Sequence, residues 1–405
     1  MTVKCNFTHD RIKEIYLDGV WYRTNEPVEL ELSKALRYRR SFAMDISPVY
    51  SKEAYDPKLF RRDKLFGFTG DADSTTGFGN CTVNLIQRSV DSGYDVRWVG
   101  RNNQVPALSR LEQKDLPPGM AMVWHEQPPE SWKQSPFPKN IAILPFETTR
   151  IPPSWVPRVN SMDALLAISD QNVQMFRDSG VTIPISKIGW GVDEKKFGYI
   201  ERPDDGTFTF GQCGALSTRK GTDILIKAFL KAFPPFAKHN VRLLLKTSYN
   251  VFTFGVKNER RIEVLMMPMD FDEYLNRFWK KVDCFVFPSR GEGWGLPAME
   301  AMMTGLPTIV TDWGGFREFT TPDTAMLLKD YRMVRATEFD RLYQNENCGD
   351  WAEPSVDELA DRMAYAYWHQ DEMKELGKRA HVHIKTNFLW DDAVKGFHKA
   401  LGEYL

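Results

Sequence analysis

The chain has 405 residues, of which 42% are hydrophobic and 13% aromatic. A single hydrophobic core stops growing near about 250–300 residues, so this length predicts two domains. The 53 basic and 54 acidic residues give a formal net charge of -1, which excludes a protein whose overall field draws it to nucleic acid or membrane.

The cysteines and the first residues bear on the cellular compartment. The five cysteines are scattered and show neither a CxxC pair nor the Cys/His spacing of a zinc site, so we expect no disulfide framework and no structural metal. The start, MTVKCNFTHD, lacks the apolar core of a secretion signal, and no apolar run approaches the roughly 18 residues of a membrane span. These features predict a soluble, cytoplasmic protein.

Residues 1–63 differ in texture from the rest of the chain. The stretch EIYLDGVWYR alternates around Asp18-Gly19, a pair that favours a tight hairpin turn. The stretch PVELELSKALRYRR then continues into a short predicted helix. We therefore predict a small β-β-α extension over residues 1–63 that belongs to the N-terminal domain.

From residue 64 onward, short apolar strands alternate with helical stretches. The strand candidates include KLFGFTGDA, YDVRWVG, MAMVWHE, NIAILPFE and DALLAIS. Such alternation predicts a parallel sheet with both faces covered by helices. This pattern defines a first doubly wound domain over residues 64–197.

A polar stretch that contains proline, GYIERPDDGTF, interrupts the alternation at residues 198–208. Beyond it the pattern restarts with FTFGQCGA, VRLLLKTS, CFVFPS and PTIVTD. We place a second doubly wound domain at residues 198–385 and expect residues 386–405 to form a helix that packs back on the first domain. Residues 330–355 are polar and irregular, which predicts a surface excursion.

The loop PSRGEGWGLPAMEAMMTG, residues 288–305, follows the strand CFVFPS and leads into a helix. Its glycines let the backbone approach a ligand closely, and the free N–H groups at the helix start favour an anion. Glu292 and Glu300 lie on either side of that start, and ionised carboxylates accept O–H donors. The arrangement predicts that both carboxylates hold sugar hydroxyls beside a phosphate site.

Two alternatives stay open for this pair of glutamates. In the first alternative, Glu300 merely complements the helix dipole and Glu292 is solvated. In the second, the two form the carboxylate pair of a hydrolase, which requires a defined separation that sequence spacing does not show.

The segment EGWGLPAMEAMMTGLPTIVTDWGG resembles the E-x7-E signature of family 4 of the glycosyltransferases, which are retaining enzymes of GT-B fold. The segments GFGNCTVNLI, AISDQNVQMFRDSGV, GALSTRKGTDILIKAF and FLWDDAVKGFHKAL match other parts of that family in the expected order. The resemblance implies two Rossmann-like domains that face a central cleft, the first for the acceptor and the second for the nucleotide-sugar donor. It also implies transfer from a UDP- or GDP-linked sugar to an acceptor hydroxyl, without a cofactor or a metal.

The resemblance also assigns roles by position. Glu292 would contact the donor sugar, Glu300 the nucleotide ribose and Lys220 the pyrophosphate. The family's arginine after the first glycine is replaced by Ala215, and Arg219 is our candidate for the missing charge, its alternative being a solvated loop residue. The remaining donor-binding candidates are Gly77, Gly79, Gly214, Lys246, Gly293, Trp294, Gly295 and Leu296.

Two further candidates stand at strand ends in the first domain. His125 follows the strand MAMVWHE and is expected to face the cleft, although a lone histidine is more often structural. Glu147 stands where many relatives place a histidine of the catalytic region, and it would accept a hydroxyl of donor or acceptor. Asp71-Ala-Asp73 resembles the metal-binding D-x-D of a different glycosyltransferase fold, but the glycine-rich turn after it favours a plain strand-end turn.

The acceptor is left open between a glycan, a small molecule and a modified DNA base. Residues 34–64 hold nine basic side chains against four acidic ones. This local excess is compatible with a polyanionic acceptor such as a hydroxymethylated pyrimidine of viral DNA, held through salt-sensitive phosphate contacts. The interpretation that we prefer is that these arginines lie along a helical surface or bridge to the core. Rivals from other classes are a nucleotide-sugar epimerase, a phosphorylase of GT-B architecture, and a non-catalytic sugar-nucleotide-binding protein.

Overall fold

Two parallel sheets form the body of the protein in a computed structural model. The structure describes, apart from a few isolated positions, residues 64–72, 76–99, 119–127, 137–202, 205–215, 217–236, 239–247, 259–266 and 269–405, and the backbone of five strands within residues 2–48.

The N-terminal extension departs from the predicted β-β-α element. Strands β2 and β3 form the hairpin predicted around Asp18-Gly19, with Leu17 opposite Val20, whereas β4, β1 and β5 form a second, antiparallel sheet in that order. The stretch TVKCNF alternates apolar and polar residues, a strand signal that the prediction did not use. The predicted helix and most of the basic segment lie outside the described residues. The strands are β1 (Thr2–Phe7), β2 (Glu14–Leu17), β3 (Val20–Arg23), β4 (Val28–Glu31) and β5 (Met44–Pro48).

The first domain is built on a parallel sheet of six strands among the described residues. Its strands are β6 (Leu65–Gly70), β7 (Asp95–Trp98), β8 (Ala121–His125), β9 (Lys139–Ile143), β10 (Ala164–Ala167) and β11 (Ile185–Lys187). They pair in the order β11-β10-β9-β8-β6-β7. The chain changes direction across the sheet between β6 and β8, so the loops after these strands border a crevice at the carboxyl edge.

The second domain repeats this plan. Its strands are β12 (Phe208–Cys213), β13 (Val241–Lys246), β14 (Ile262–Leu265), β15 (Cys284–Phe287), β16 (Thr308–Thr311) and β17 (Met326–Leu328). They are parallel and pair in the order β14-β13-β12-β15-β16-β17. The direction changes between β12 and β15, which brings the loops after these two strands together at the carboxyl edge.

Helices cover both sheets, as the alternation predicted. The side chains of Thr76, Ser169 and Ser355 each accept a backbone N–H of the following first turn, which fixes where three of the helices begin. Short 3-10 turns span Pro153–Trp155 and Gly314–Glu318, and a π-helical turn spans Leu275–Trp279. The helices are α1 (Gly77–Asp91), α2 (Val156–Val159), α3 (Asp170–Asp178), α4 (Thr222–Ala232), α5 (Phe271–Tyr274), α6 (Leu296–Met303), α7 (Thr337–Leu342), α8 (Val356–Trp368), α9 (Gln370–Asn387) and α10 (Trp390–Leu401).

The last helix, α10, packs on α1 of the first domain. The ring of Phe397 meets that of Phe66 edge to face, with the centroids 5.9 Å apart. On the same face, Nε2 of His398 lies 2.8 Å from Oγ of Ser89. The chain therefore ends on the domain where it began its first parallel sheet.

The segment around residues 330–355 is not a surface excursion, and that prediction is wrong. Strand β18 (Tyr331–Arg335), helix α7 and strand β19 (Asp350–Pro354) form a compact unit, which we call the bridging insert. Although the insert follows β17 of the second domain, its aromatic rings share a core with Phe146 and Trp155 of the first. The ring centroids of Trp155 and Tyr343 are 4.8 Å apart.

Backbone hydrogen bonds hold the bridging insert against the first domain. Thr149 N–H donates to the Asp350 carbonyl (2.9 Å), and Asp350 N–H donates to Thr149 Oγ1 (2.8 Å). Thr148 Oγ1 donates to the Cys348 carbonyl (2.6 Å). The insert therefore joins the two domains along one side of the cleft.

Candidate functional site

Two loops of the second domain meet at the carboxyl edge of its sheet. One follows β12 and the other joins β15 to α6. They approach so closely that a Cβ on Gly221, whose φ is 69°, would lie 1.9 Å from the Pro288 carbonyl oxygen. At the start of α6, Gly295 has a φ of 105° and packs against the ring of Phe316. Only glycine fits either position, which explains the glycine-rich sequence.

Glu292 is the centre of the site. Its side chain is only 7% exposed, and Oε1 accepts hydrogen bonds from Lys220 Nζ (2.7 Å), Arg219 Nη1 (2.9 Å) and Ser289 Oγ (2.9 Å). Burial by itself raises the pKa of Glu292, but Lys220 and Arg219 outweigh it and leave this pKa below its ordinary value. Glu292 is therefore ionised and buried, and the alternative of a solvated glutamate is wrong.

Lys220 and Arg219 supply two positive charges to one carboxylate oxygen. The side chains are 12% and 18% exposed, so Arg219 is not the solvated loop residue that we left open. Burial lowers the pKa of Lys220, which Glu292 restores only in part. Burial also lowers the pKa of Arg219, but Glu292 and Glu147 outweigh it and hold that pKa above its ordinary value. Two cations thus share one buried carboxylate, which leaves a net charge of +1 on these three groups.

Glu300 lies one turn into α6, on the other side of the loop. Burial raises its pKa to about 8, while Lys196 and Lys246 oppose this increase. Lys246 ends β13 and places Nζ 4.9 Å from the centroid of the Tyr274 ring. Gly214, with a φ of 125° and open space where a Cβ would stand, follows β12 nearby.

The first domain forms the opposite wall of the cleft. A Cβ on Gly291 would lie 2.0 Å from the Glu147 carbonyl oxygen, so the two domains touch here. Glu147 Oε1 is 3.9 Å from Arg219 Nη1. Burial raises the pKa of Glu147, and Arg219 opposes the shift. Glu147 therefore joins the charged cluster from across the cleft.

Gly77 and Leu296 lie at the starts of α1 and α6, one in each domain. A Cβ on Gly77 would stand 3.8 Å from Leu296 Cδ1, so the two helix starts face each other. Gly79 N–H donates to Oγ1 of Thr76, the cap of α1. The starts of the two helices are therefore close together, and helix N-termini favour a negative charge near them.

Gly293 and Trp294 pack against the first domain. A Cβ on Gly293 would meet Ile168 Cδ1 at 3.2 Å, and the Trp294 ring covers Gly189. A side chain at position 293 would therefore be crowded and would require its neighbours to shift. These contacts hold the loop 291–296 against the opposite domain.

His125 does not present an exposed side chain to the cleft. It ends β8, is fully buried, and stacks on the ring of Phe78 at a centroid distance of 3.8 Å. Nδ1 lies 2.8 Å from Thr82 Oγ1, and burial lowers the pKa of the ring to about 3. The prediction that His125 faces the cleft is wrong because α1 covers it.

Sequence reasoning missed three side chains at the site. Ser289 lies two residues after β15 and donates to Glu292. A serine just beyond the end of a strand is a sequence signal that could have indicated this residue. Gln127 of the first domain contacts Tyr343 of the bridging insert, with Gln127 Nε2 donating to the Tyr343 hydroxyl at 3.3 Å. No local pattern links two residues so far apart in the chain, so these two required the structure.

The described residues lack two further features. In the part of the chain that the structure describes, no three His, Cys, Asp or Glu side chains are grouped to hold a metal ion. None of the helices among those same residues has both the length and the apolar character needed to cross a membrane.

The second domain resembles a family of known proteins. Residues 207–345 match the family model described as Glycosyl transferases group 1. Uncharacterized glycosyltransferase 335 of Sulfolobus islandicus rod-shaped virus 1 is 25% identical over 202 residues, which cover 47% of this chain and 58% of the relative.

A bacterial relative gives a similar picture. The lipopolysaccharide core biosynthesis mannosyltransferase LpsB of Rhizobium meliloti is 26% identical over 180 residues, which cover 40% of this chain and 49% of that protein. The chain thus spans about half the length of these two relatives, 58% and 49%.

A solved structure extends the likeness to both domains. Anabaena Alr3699/HepE in complex with UDP-glucose superposes with a TM-score of 0.61 at 14% identity, over 84% of this chain and 99% of that chain. This likeness shows the fold: the predicted GT-B architecture, two Rossmann-like domains, is confirmed.

Proposed function

We propose that the protein is a retaining glycosyltransferase that moves a sugar from a UDP- or GDP-linked donor to an acceptor hydroxyl. The observation that carries the proposal is the pairing of Lys220 and Arg219 with Glu292 where the loops after β12 and β15 meet. Two partly buried cations are preorganised there for a dianionic diphosphate. The group 1 match over residues 207–345 supports the same assignment.

Donor binding follows from the charges of this cluster. The diphosphate of the donor draws Lys220 and Arg219 into charge-assisted hydrogen bonds. Glu292 Oε1, which both cations occupy in the free protein, is then released to accept sugar hydroxyls. Glu300 holds the ribose hydroxyls, and the start of α6 adds backbone N–H groups near the phosphates.

Transfer in this scheme needs no enzyme nucleophile. The acceptor oxygen attacks the anomeric carbon on the face from which the diphosphate leaves, through an oxocarbenium-like state. As the new bond forms, the bond from that carbon to the phosphate oxygen breaks, and this oxygen takes the acceptor proton. Lys220 and Arg219 stabilise the negative charge on the departing diphosphate, the role that a metal ion plays in other transferases.

Incubation with UDP- and GDP-linked sugars tests the proposal. Release of nucleoside diphosphate that depends on an acceptor, persists in a metal chelator and disappears in Glu292→Gln supports it. Isomerised donor in the absence of acceptor indicates an epimerase, a requirement for free phosphate indicates a phosphorylase, and binding without turnover indicates a non-catalytic protein. Product NMR is expected to show a retained anomeric configuration, and inversion would contradict the mechanism.

The acceptor class has its own test. A modified DNA base held by the basic segment 34–64 would predict duplex binding that weakens steeply between about 50 and 200 mM salt. If the protein does not bind duplex DNA at low salt, DNA is excluded as the acceptor, and a glycan or a small molecule remains.

A further inference from the structure

Three polar groups from separate segments meet beside the cationic pair. Gln127 follows β8, Glu147 follows β9, and Tyr343 comes from the bridging insert. Gln127 Nε2 donates to the Tyr343 hydroxyl (3.3 Å), and Glu147 Oε1 lies 3.9 Å from Arg219 Nη1. Among the residues that the structure describes, Glu147 Oε2 is buried without a partner at full hydrogen-bonding distance, although the neighbouring Gln127 amide lowers the pKa of this carboxyl. A buried acceptor in that condition destabilises the protein until a donor group reaches it.

The bridging insert fixes the position of Tyr343. The Tyr343 ring packs edge to face on Trp155 (4.8 Å between centroids) and on Phe339 (5.8 Å). Five residues further along the chain, Cys348 accepts the hydrogen bond from Thr148 that ties the insert to the first domain. A hydroxyl held on a ring packed in this way loses little conformational entropy when it binds a ligand.

The hydrogen-bonding roles of Gln127, Tyr343 and Glu147 are distinct. Gln127 donates to the Tyr343 oxygen, so the Tyr343 proton is available for an oxygen of a ligand. Burial raises the pKa of Tyr343, which keeps the hydroxyl protonated at neutral pH. Glu147 offers a carboxylate acceptor. One acceptor and one donor at the same wall match a sugar hydroxyl, which both donates and accepts.

The location connects this wall to the donor. Arg219 Nη1 is 2.9 Å from Glu292 and 3.9 Å from Glu147, so the two carboxylates flank one guanidinium. A sugar whose diphosphate is held by Arg219 therefore lies within reach of both carboxylates. Burial raises the pKa of Glu147, whereas Arg219 and Lys220 lower it. In its ionised form Glu147 repels a carboxylate on that sugar, and this repulsion is strong because the site is buried.

We infer that Gln127, Glu147 and Tyr343 form a subsite that binds hydroxyl groups of the donor sugar and rejects sugars with a carboxylate. The inference rests on the proposed function, because it takes the sugar from the same nucleotide donor. It assigns to the bridging insert a part in donor selection in addition to its part in joining the domains.

The test compares a neutral donor with its uronic acid, UDP-glucose with UDP-glucuronic acid, or the corresponding GDP-linked pair if that base is used. Wild type is expected to prefer the neutral donor by about 100-fold or more in kcat/KM, and Glu147→Gln to reduce this ratio by about tenfold. Tyr343→Phe is expected to lower kcat/KM for the neutral donor by about fivefold to tenfold. Tyr331→Phe, at a half-buried position of the same insert whose hydroxyl accepts from Arg317, is the matched control and is expected to match wild type.

Binding measurements separate this inference from the proposed function. The ratio of Kd for free UDP to Kd for UDP-glucose reports the sugar contacts alone, and Tyr343→Phe is expected to lower it without changing Kd for UDP. If wild type binds the donor but does not turn it over, the proposed function fails and this ratio still decides the subsite. An unchanged ratio in Tyr343→Phe, or unchanged discrimination in Glu147→Gln, overturns the inference.

Discussion

Replacement of Lys220 by methionine separates the structural role of this lysine from its role in donor binding. The change keeps most of the side-chain volume and removes the ammonium group that donates to Glu292 at 2.7 Å. Glu292 then remains buried with only Arg219 and Ser289 as hydrogen-bond donors. We expect both the free energy of unfolding and the turnover to fall, for different reasons.

The expected loss of stability follows from the geometry. At 2.7 Å and an effective dielectric constant of about 20, the gross attraction between the two charges is about 6 kcal/mol, most of which is cancelled by their desolvation. Removal of one partner from a buried pair costs about 3–5 kcal/mol, and we expect about 2–3 kcal/mol because Arg219 stays at 2.9 Å.

A double variant makes the reasoning refutable. Adding Glu292→Gln to Lys220→Met removes the stranded carboxylate, so we expect the double variant to recover about 2 kcal/mol relative to the sum of the single changes. Turnover is expected to stay low, because the diphosphate still lacks its lysine. Lys231→Met, at an exposed ion pair with Asp357, is the control and is expected to change stability by less than about 1 kcal/mol.

Urea unfolding and release of nucleoside diphosphate are the two assays. Strictly additive free energies would show that Lys220 and Glu292 are not coupled as the structure indicates. Wild-type turnover in Lys220→Met would show that this lysine does not hold the diphosphate.

Three further predictions concern other parts of the site. The pKa of Glu300 is raised to about 8 in the folded protein. The free energy of unfolding of the ligand-free protein is therefore expected to fall by up to about 1.4 kcal/mol per pH unit as pH rises from about 4.5 to about 8. Urea titrations of Glu300→Gln are expected to lack this pH dependence. Gly291→Ala forces a Cβ to within 2.0 Å of the Glu147 carbonyl oxygen, so we expect it to separate the two domains. X-ray scattering would then show a larger radius of gyration. Gly396→Ala, in open space on α10, is the control and is expected to leave the radius of gyration unchanged. Thr149→Val removes the hydroxyl that accepts from Asp350 N–H and is expected to cost about 1–2 kcal/mol in thermal unfolding, an effect that Thr386→Val on exposed α9 does not share.

Much of the fold was predictable because local signals agree with one another. Apolar runs bounded by glycine-rich turns gave the strands, and the change of pattern at residues 198–208 gave the second sheet. The loop that carries Glu292 was predictable for the same reason, since strand, glycines and helix start are adjacent in the chain. Lys220 was assigned by resemblance, and its contact with Glu292 needed the structure.

The rest depends on contacts between distant segments. The bridging insert looks polar because charged residues separate Phe339, Tyr343 and Trp351, yet these three rings pack into the core of the other domain. His125 was expected in the cleft because it ends a strand, but the neighbouring helix covers it. Strand-end position fixes where a residue stands, and only the packing of neighbouring elements decides what it contacts.

A crystal structure of the complex with the preferred nucleotide sugar tests the central claim most directly. We expect diphosphate oxygens within about 3 Å of Lys220 Nζ and of the Arg219 guanidinium, with Glu292 turned to the sugar hydroxyls. A donor bound elsewhere, or one that leaves both cations paired with Glu292 as in the free protein, would contradict the account.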